Sequence, residues 1–272
     1  MSPSTPPASD AQRTTSDART TTDDAQASAN ETQASVTADE EVLQALRVVF
    51  AADSKLYRER GFMRRIGFGE RPAIVNIDLA NAWTRPGTPF TCDRMDTIIP
   101  SVQRLIAAAR AKGVPVIYLT TAYQVSDGPA TDTGLWARKV PIETLELGTD
   151  AVAIDDRIAP RPDELVIVKK RASGFHGTNL SSVLTAAGVD TVIATGVTMA
   201  GCVRHTVEDA SAEGFRPIVP RECVGDRVAG VVEWNLFDLD AKFADVESLD
   251  TVVDYLQRLP TRAAPPAGAR AD

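Results

Sequence analysis

Histidine is nearly missing from this chain, with two residues in 272. There is no H-E-x-x-H segment and no C-x-x-C pair, so the sequence offers no zinc site. Three cysteines, Cys92, Cys202 and Cys223, are too few and too scattered for a disulfide framework and point to a reducing cytoplasm. No apolar run approaches the roughly 18–20 residues needed to cross a bilayer, so no membrane partner is expected. Positive charge is also short. Lys and Arg number 29 against 37 Asp and Glu, a net charge of −8 with a pI near 4.9, which argues against nucleic acid as a partner. A G-x-G-x-x-G turn is absent after the first strand-like run, where DLANAW (78–83) stands instead. That argues against a dinucleotide site, and no cofactor is expected.

Large apolar side chains are scarce in residues 1–38, which are rich in Ala, Ser, Thr, Asp and Gln. Such a segment cannot bury enough surface to offset its ordering entropy, so a disordered tail is expected. It has no apolar stretch typical of a secretory signal, and its acids argue against an organelle transit peptide. TRAAPPAGARAD (261–272) is expected to be a second loose tail. Between them, helical spacing over 39–60 predicts an arm that ends near Gly61, and 61–260 has the length of one α/β domain.

Within that domain, strand and helix signals alternate. The strand-like runs are PAIVNIDL (72–79), VPVIYLTT (114–121), DELVIVKK (163–170), DTVIATGV (190–197) and FRPIVPREC (215–223). Helical patterns fall at 97–113, 178–188, from about Cys202 onward, and at 229–243, with DVESLDTVVDYLQRL closing the domain. This order predicts βαβ units and a three-layer α-β-α fold around a mostly parallel six-stranded sheet.

In such a doubly wound sheet, sites form beyond the carboxyl ends of the strands. Three polar positions pass that filter: Asp78, one of the pair Lys169 and Lys170, and Cys202. Each type has a commoner structural use, as a turn acid, a solvated lysine or a buried thiol. Together they describe acyl transfer. A thiol at a helix start attacks a carbonyl, an ammonium favours the thiolate, and a carboxylate takes the proton. Backbone N–H groups of the helix start can hold the oxyanion. His205 lies three residues after Cys202 on the same helix, about 4.5 Å along its axis. There it crowds the nucleophile's own helix and does not face it across a cleft, so it is not expected to be the base.

Three segments resemble the isochorismatase-like cysteine hydrolases: AIVNIDLANAW (73–83), KKRASGFHGTNL (169–180) and ATGVTMAGCVRHTVEDASAEGF (194–215). The resemblance covers about residues 60–258. It implies a catalytic set of Asp78, Lys169 and Cys202, because the family lysine stands four residues before the serine that matches Ser173. It also implies a cis peptide at Val197–Thr198, with the Thr198 and Cys202 N–H groups forming the oxyanion hole. Arg227 is implied as the group that binds a substrate carboxylate, a role suited to its bidentate fork. Asn81, Trp83, Phe175 and His176 are implied as pocket walls. Relatives with an Asp and several His near the site bind a metal there; the region after Asp78 holds no histidine before His176, so no metal is expected. The expected partner is a small amide or ureide carrying a carboxylate, and the expected assembly is a homotetramer.

Overall fold

The computed structural model describes residues 41–124 and 132–261. The tails expected at 1–38 and 261–272 lie outside these residues, apart from residue 261. By proximity along the backbone the chain divides into two units, Met1–Ala45 and Leu46–Asp272. The described part of the first unit, residues 41–45, is helical.

The second unit holds the sheet. Its strands are β1 (Pro72–Ile77), β2 (Val116–Thr121), β3 (Leu165–Lys169), β4 (Thr191–Val197), β5 (Arg216–Pro220), β6 (Val224–Gly225) and β7 (Asp245–Glu247). They run in the order β3-β2-β1-β4-β5-β7, all pairings between them are parallel, and β6 pairs with β4. Six strands were expected and lie along this path. The seventh, β6, is only two residues long, too short to leave an alternation pattern in the sequence.

Every residue of β1 and β4 is buried, as both faces of a central parallel strand must be. Successive side chains of β1 serve opposite cores. Ile74 packs with α3 (Met95–Ala111) and α7 (Leu249–Arg258), while Ala73, Val75 and Ile77 pack with α4 (Leu180–Ala186), α5 (Arg204–Ala212) and α6 (Ala229–Lys242). The helices follow the same logic. Leu249, Val252, Val253 and Leu256 form one buried stripe of α7, and Ser248 Oγ caps its start by accepting from the Thr251 N–H at 3.1 Å. A helix over 41–59, α1, precedes the sheet; a four-residue turn of helix, α2 (Asn81–Thr84), follows β1. From Leu46 onward α1 packs on its own chain. Phe50 stacks on Phe237 of α6 with ring centroids 4.4 Å apart, and Tyr57 meets the same ring edge-on.

Two further differences from the sequence reading concern the site. Between β2 and β3 the described chain forms four short 3-10 turns at Gly134–Arg138, Ile142–Thr144, Asp150–Val152 and Asp156–Ile158, which carry no long periodicity. The helix that begins near Cys202 opens instead with a π-helical turn over Met199–Val203 before α5.

The backbones of β1 and β4 approach so closely near their carboxyl ends that Gly196 is required. Its φ is 113°, and a Cβ there would lie 2.0 Å from the Ile77 carbonyl oxygen. Gly196→Ala is expected to destabilise the protein by at least about 3 kcal/mol, read as a lowered urea midpoint, because it combines a forbidden φ with a backbone clash. An unchanged midpoint would show that β4 can move away from β1 at little cost.

Candidate active site

The order β3-β2-β1-β4 reverses direction at β1: β2 and β3 extend to one side, and β4 starts the other. The crevice at the carboxyl ends of β1 and β4 is therefore the switch point. Asp78 follows β1 directly, in the left-handed region at φ 52°, a conformation aspartate tolerates better than most residues. Lys169 is the last residue of β3, and Thr121, its register partner, is the last of β2. Cys202 comes from the π turn beyond β4.

These four side chains meet in a buried cluster. Lys169 and Asp78 are fully buried, Thr121 and Cys202 nearly so. Lys169 Nζ lies 2.8 Å from Asp78 Oδ2, 2.6 Å from Thr121 Oγ1, 3.2 Å from Cys202 Sγ and 3.2 Å from the Arg171 carbonyl oxygen. Thr121 Oγ1 donates to Asp78 Oδ1 at 3.0 Å. Lys170, just past the end of β3, points elsewhere. Its Nζ forms an ion pair with Asp132 at 2.6 Å and donates to the Ala122 carbonyl.

Burial and charge oppose each other here. Burial pulls the Lys169 ammonium towards neutrality, but the Asp78 carboxylate and the Cys202 sulfur outweigh it and hold the ammonium above its ordinary range. For the Cys202 thiol, burial is the largest influence and pushes it up to about 12; Lys169 pulls the other way and Asp78 adds to the rise. A helix start and a neighbouring ammonium favour the thiolate, and burial of the closed cluster opposes them.

The nucleophile's turn is held from several sides. The Val197–Thr198 peptide is cis, and the Thr198 carbonyl accepts from the Gly201 N–H at 3.0 Å and the Val203 N–H at 3.1 Å. Asp226 Oδ2 accepts from the Ala200 N–H at 3.0 Å, and Oδ1 accepts from the Arg227 N–H at 2.8 Å. Arg204, directly after the turn, donates to Asn235 at 2.9 Å and pairs with Asp238 at 2.6 Å, which ties the turn to α6. His205 is exposed, with Nδ1 2.7 Å from the Gly201 carbonyl oxygen one turn back in its own helix.

The remaining candidates occupy different settings. Arg227 sits beside the nucleophile's turn, its guanidinium 5.8 Å from the Phe90 ring centre and its Nε 3.4 Å from the Pro89 carbonyl oxygen. Trp83 is buried behind that ring, with centroids 5.1 Å apart. Asn81 is buried, and its amide donates to the backbone and carboxylate of Asp150 at 2.9 and 3.0 Å. Phe175 is half-buried against the core that contains Cys202, while His176 is exposed. Thr121 and Asp226 were not singled out in the sequence. Thr121 could have been, since it is a polar residue at a strand's carboxyl end, but Asp226 carries no such signal.

Residues 72–251 match the Isochorismatase domain, and the chain belongs to that family. It is 60% identical over 217 residues to the N-carbamoylsarcosine amidase of Arthrobacter sp, which covers 79% of this chain and 82% of that protein. It is 38% identical over 197 residues to the maleamate amidohydrolase of Pseudomonas putida, covering 72% and 92%. Among solved structures, the N-carbamoylsarcosine amidase of Thermoplasma acidophilum superposes with a TM-score of 0.55 at 28% identity, covering 68% of this chain and 98% of that one.

The thiol's environment sets an expected reactivity. Alkylation of Cys202 by iodoacetamide, followed by peptide mass, should be slow at neutral pH and rise about tenfold per pH unit from 7 to 9, as the thiolate fraction does below its pKa. Lys169→Met should slow it further by removing the charge that opposes burial. A rate already level below pH 8 would mean that the resting thiol is ionised.

Proposed function

We propose that the protein is a cysteine-dependent amidohydrolase that converts N-carbamoylsarcosine to sarcosine, carbon dioxide and ammonia. The observation that carries the chemistry is the buried Lys169 ammonium set between the Asp78 carboxylate and the Cys202 sulfur. The 60% identity to the Arthrobacter enzyme supports the substrate.

With burial holding the Cys202 thiol above its ordinary range, attack and deprotonation are coupled. Cys202 Sγ adds to the ureide carbonyl as its proton passes to Asp78. The oxyanion that forms is held by the Thr198 and Cys202 N–H groups. Asp78 then gives the proton to the terminal nitrogen, the C–N bond breaks, and ammonia leaves an S-carbamoyl cysteine. Water, deprotonated by the same carboxylate, attacks this carbonyl and releases the thiol. The resulting N-carboxysarcosine loses carbon dioxide to give sarcosine. Lys169 keeps its proton throughout; its role is to offset the negative charge that moves between sulfur and carboxylate. Arg227 holds the sarcosine carboxylate, and Asn81, Trp83, Phe175 and His176 shape the surrounding walls.

A maleamate amidohydrolase is the second reading, supported by the 38% identical Pseudomonas relative. A biuret-type amidohydrolase would use the same reacting set, whereas an isochorismatase-type hydrolase that works without the thiol would leave Cys202 idle. We also take the enzyme to be a cytoplasmic homotetramer. Its three cysteines are free thiols, and Val48, Val49 and Leu56 of α1 are exposed, as a subunit contact would require.

Ammonia release across N-carbamoylsarcosine, maleamate, biuret and nicotinamide tests the assignment. Fastest turnover is expected with N-carbamoylsarcosine and none with Cys202→Ser; retained activity in that variant would end the covalent mechanism. Arg227→Ala is expected to raise KM for the acidic substrate about 10- to 100-fold, the scale of a lost charge-assisted hydrogen bond. An unchanged KM would remove Arg227 from the carboxylate site.

A further inference from the structure

The mechanism above leaves the Thr121 hydroxyl unused, although it touches two of the three reacting side chains. Its Oγ1 is 2.6 Å from Lys169 Nζ and 3.0 Å from Asp78 Oδ1, and the residue is 2% exposed. A lysine ammonium can only donate, and a threonine hydroxyl has one proton. Thr121 must therefore accept from Lys169, and its single proton must point at Asp78 Oδ1. No other arrangement satisfies all three groups while Lys169 is charged.

The two oxygens of Asp78 are consequently unequal. Oδ1 already receives an O–H donor from β2. Oδ2 receives no hydroxyl or amide donor among the described residues and faces the Lys169 ammonium at 2.8 Å. Beyond the lone pair that meets the ammonium, Oδ2 keeps a second one, and that is where a proton arriving from the thiol is placed. We propose that Thr121 is a positioning residue that fixes which oxygen of Asp78 takes the thiol proton, and hence where that proton waits for the leaving nitrogen. The proposal rests on the reading of Asp78, Lys169 and Cys202 as the reacting set.

In this scheme the S–H bond breaks and an O–H bond forms at Asp78 Oδ2 as the C–S bond forms. When the C–N bond breaks, the same proton moves from Oδ2 to nitrogen, and the carboxylate returns to its starting charge. Thr121 keeps its own proton and touches no substrate. Without the hydroxyl, Oδ1 becomes an equal acceptor, and a proton placed there faces β2 and not the leaving group. Lys169 also loses its shortest acceptor and is freer to leave the sulfur.

The test is steady-state ammonia release from N-carbamoylsarcosine by the full-length enzyme and three variants. Thr121→Val keeps the shape and removes the hydroxyl, Thr121→Ser keeps the hydroxyl, and Cys202→Ala controls for the mechanism itself. Thr121→Val is expected to lower kcat about 10- to 100-fold with KM within about threefold of the parent, on the scale of one hydrogen bond to a charged group. Thr121→Ser is expected to restore kcat to within about threefold. Thermal unfolding checks that each variant is folded; should Thr121→Val not accumulate as folded protein, Thr121→Ala is read against Thr121→Ser in the same way. Two results would overturn the proposal: a folded Thr121→Val with parental kcat, or a Thr121→Ser as impaired as Thr121→Val, which would make the methyl group and its packing the cause. Retained turnover in Cys202→Ala would instead overturn the reacting set on which the proposal stands.

Discussion

A fully buried lysine ammonium at the end of β3 is the constraint around which this molecule is arranged. An isolated ammonium in a protein interior costs several kcal/mol even after relaxation, and it persists only with a counter-ion and satisfied donors. Lys169 obtains these from β1, through Asp78, and from β2, through Thr121. Both contacts require β1, β2 and β3 to lie side by side with their carboxyl ends level. The sheet order β3-β2-β1 and the register that sets Thr121 beside Lys169 meet that requirement. Strand order is thus tied to charge balance, and a slip of one residue in β3 would replace Lys169 with a side chain of the opposite face.

The fourth member of the cluster arrives by a different route. Cys202 is not on a strand but on a turn, so its position depends on how that turn is tied down. Gly196 lets β4 close on β1, the Thr198 carbonyl closes the π turn, and Arg204 anchors its far end to α6. Such ties matter because the thiol must reach a charge pair it does not share an element with. The cluster gains from this separation. In the proposed chemistry, negative charge on sulfur arises as a carbonyl arrives to receive it. A site with a permanent thiolate would be more exposed to oxidation and stray alkylation.

The sequence displayed the fold's repeating part clearly. β1, β2, β4 and β5 are apolar runs between helical patterns; the first three lie within two residues of their expected spans, and β5 ends three residues early. The reacting residues were legible because they combine reactive chemistry with strand-end placement; for Cys202, only the likeness of its segment to known hydrolases separated it from an ordinary buried thiol. Lys169 and Lys170 could not be told apart by type, although only Lys169 reaches Asp78 and Cys202 while Lys170 pairs with Asp132. What was not legible is pairwise and distant. Thr121 is bonded to a residue 48 positions away, and Asp226 to one 26 positions away. A threonine or aspartate near a turn has many bland uses, and nothing in a single sequence identifies its partner. The balance of influences on the thiol was only half legible for a similar reason. The helix start and the lysine are visible in sequence, but the degree of burial that outweighs them is a property of the assembled core.

These two kinds of constraint divide the site into a fixed half and a variable half. The charge cluster is held by strand order, so its geometry follows the sheet. The region around Arg227 depends on loops: Asp226 ties residue 227 to the nucleophile's turn, its carbonyl receives the Asp93 N–H at 3.2 Å, and Phe90 lies against the guanidinium. A change in the loop carrying residues 85–94 can therefore move Arg227 relative to Cys202 while leaving Asp78, Thr121 and Lys169 untouched. If Asp78, Lys169 and Cys202 react as proposed, one reacting set can then serve acids of different length. Asp226 is the joint between the halves. It grips the backbone of the turn that carries Cys202 and the backbone of Arg227, so one carboxylate sets the spacing between the proposed nucleophile and the proposed acid-binding residue.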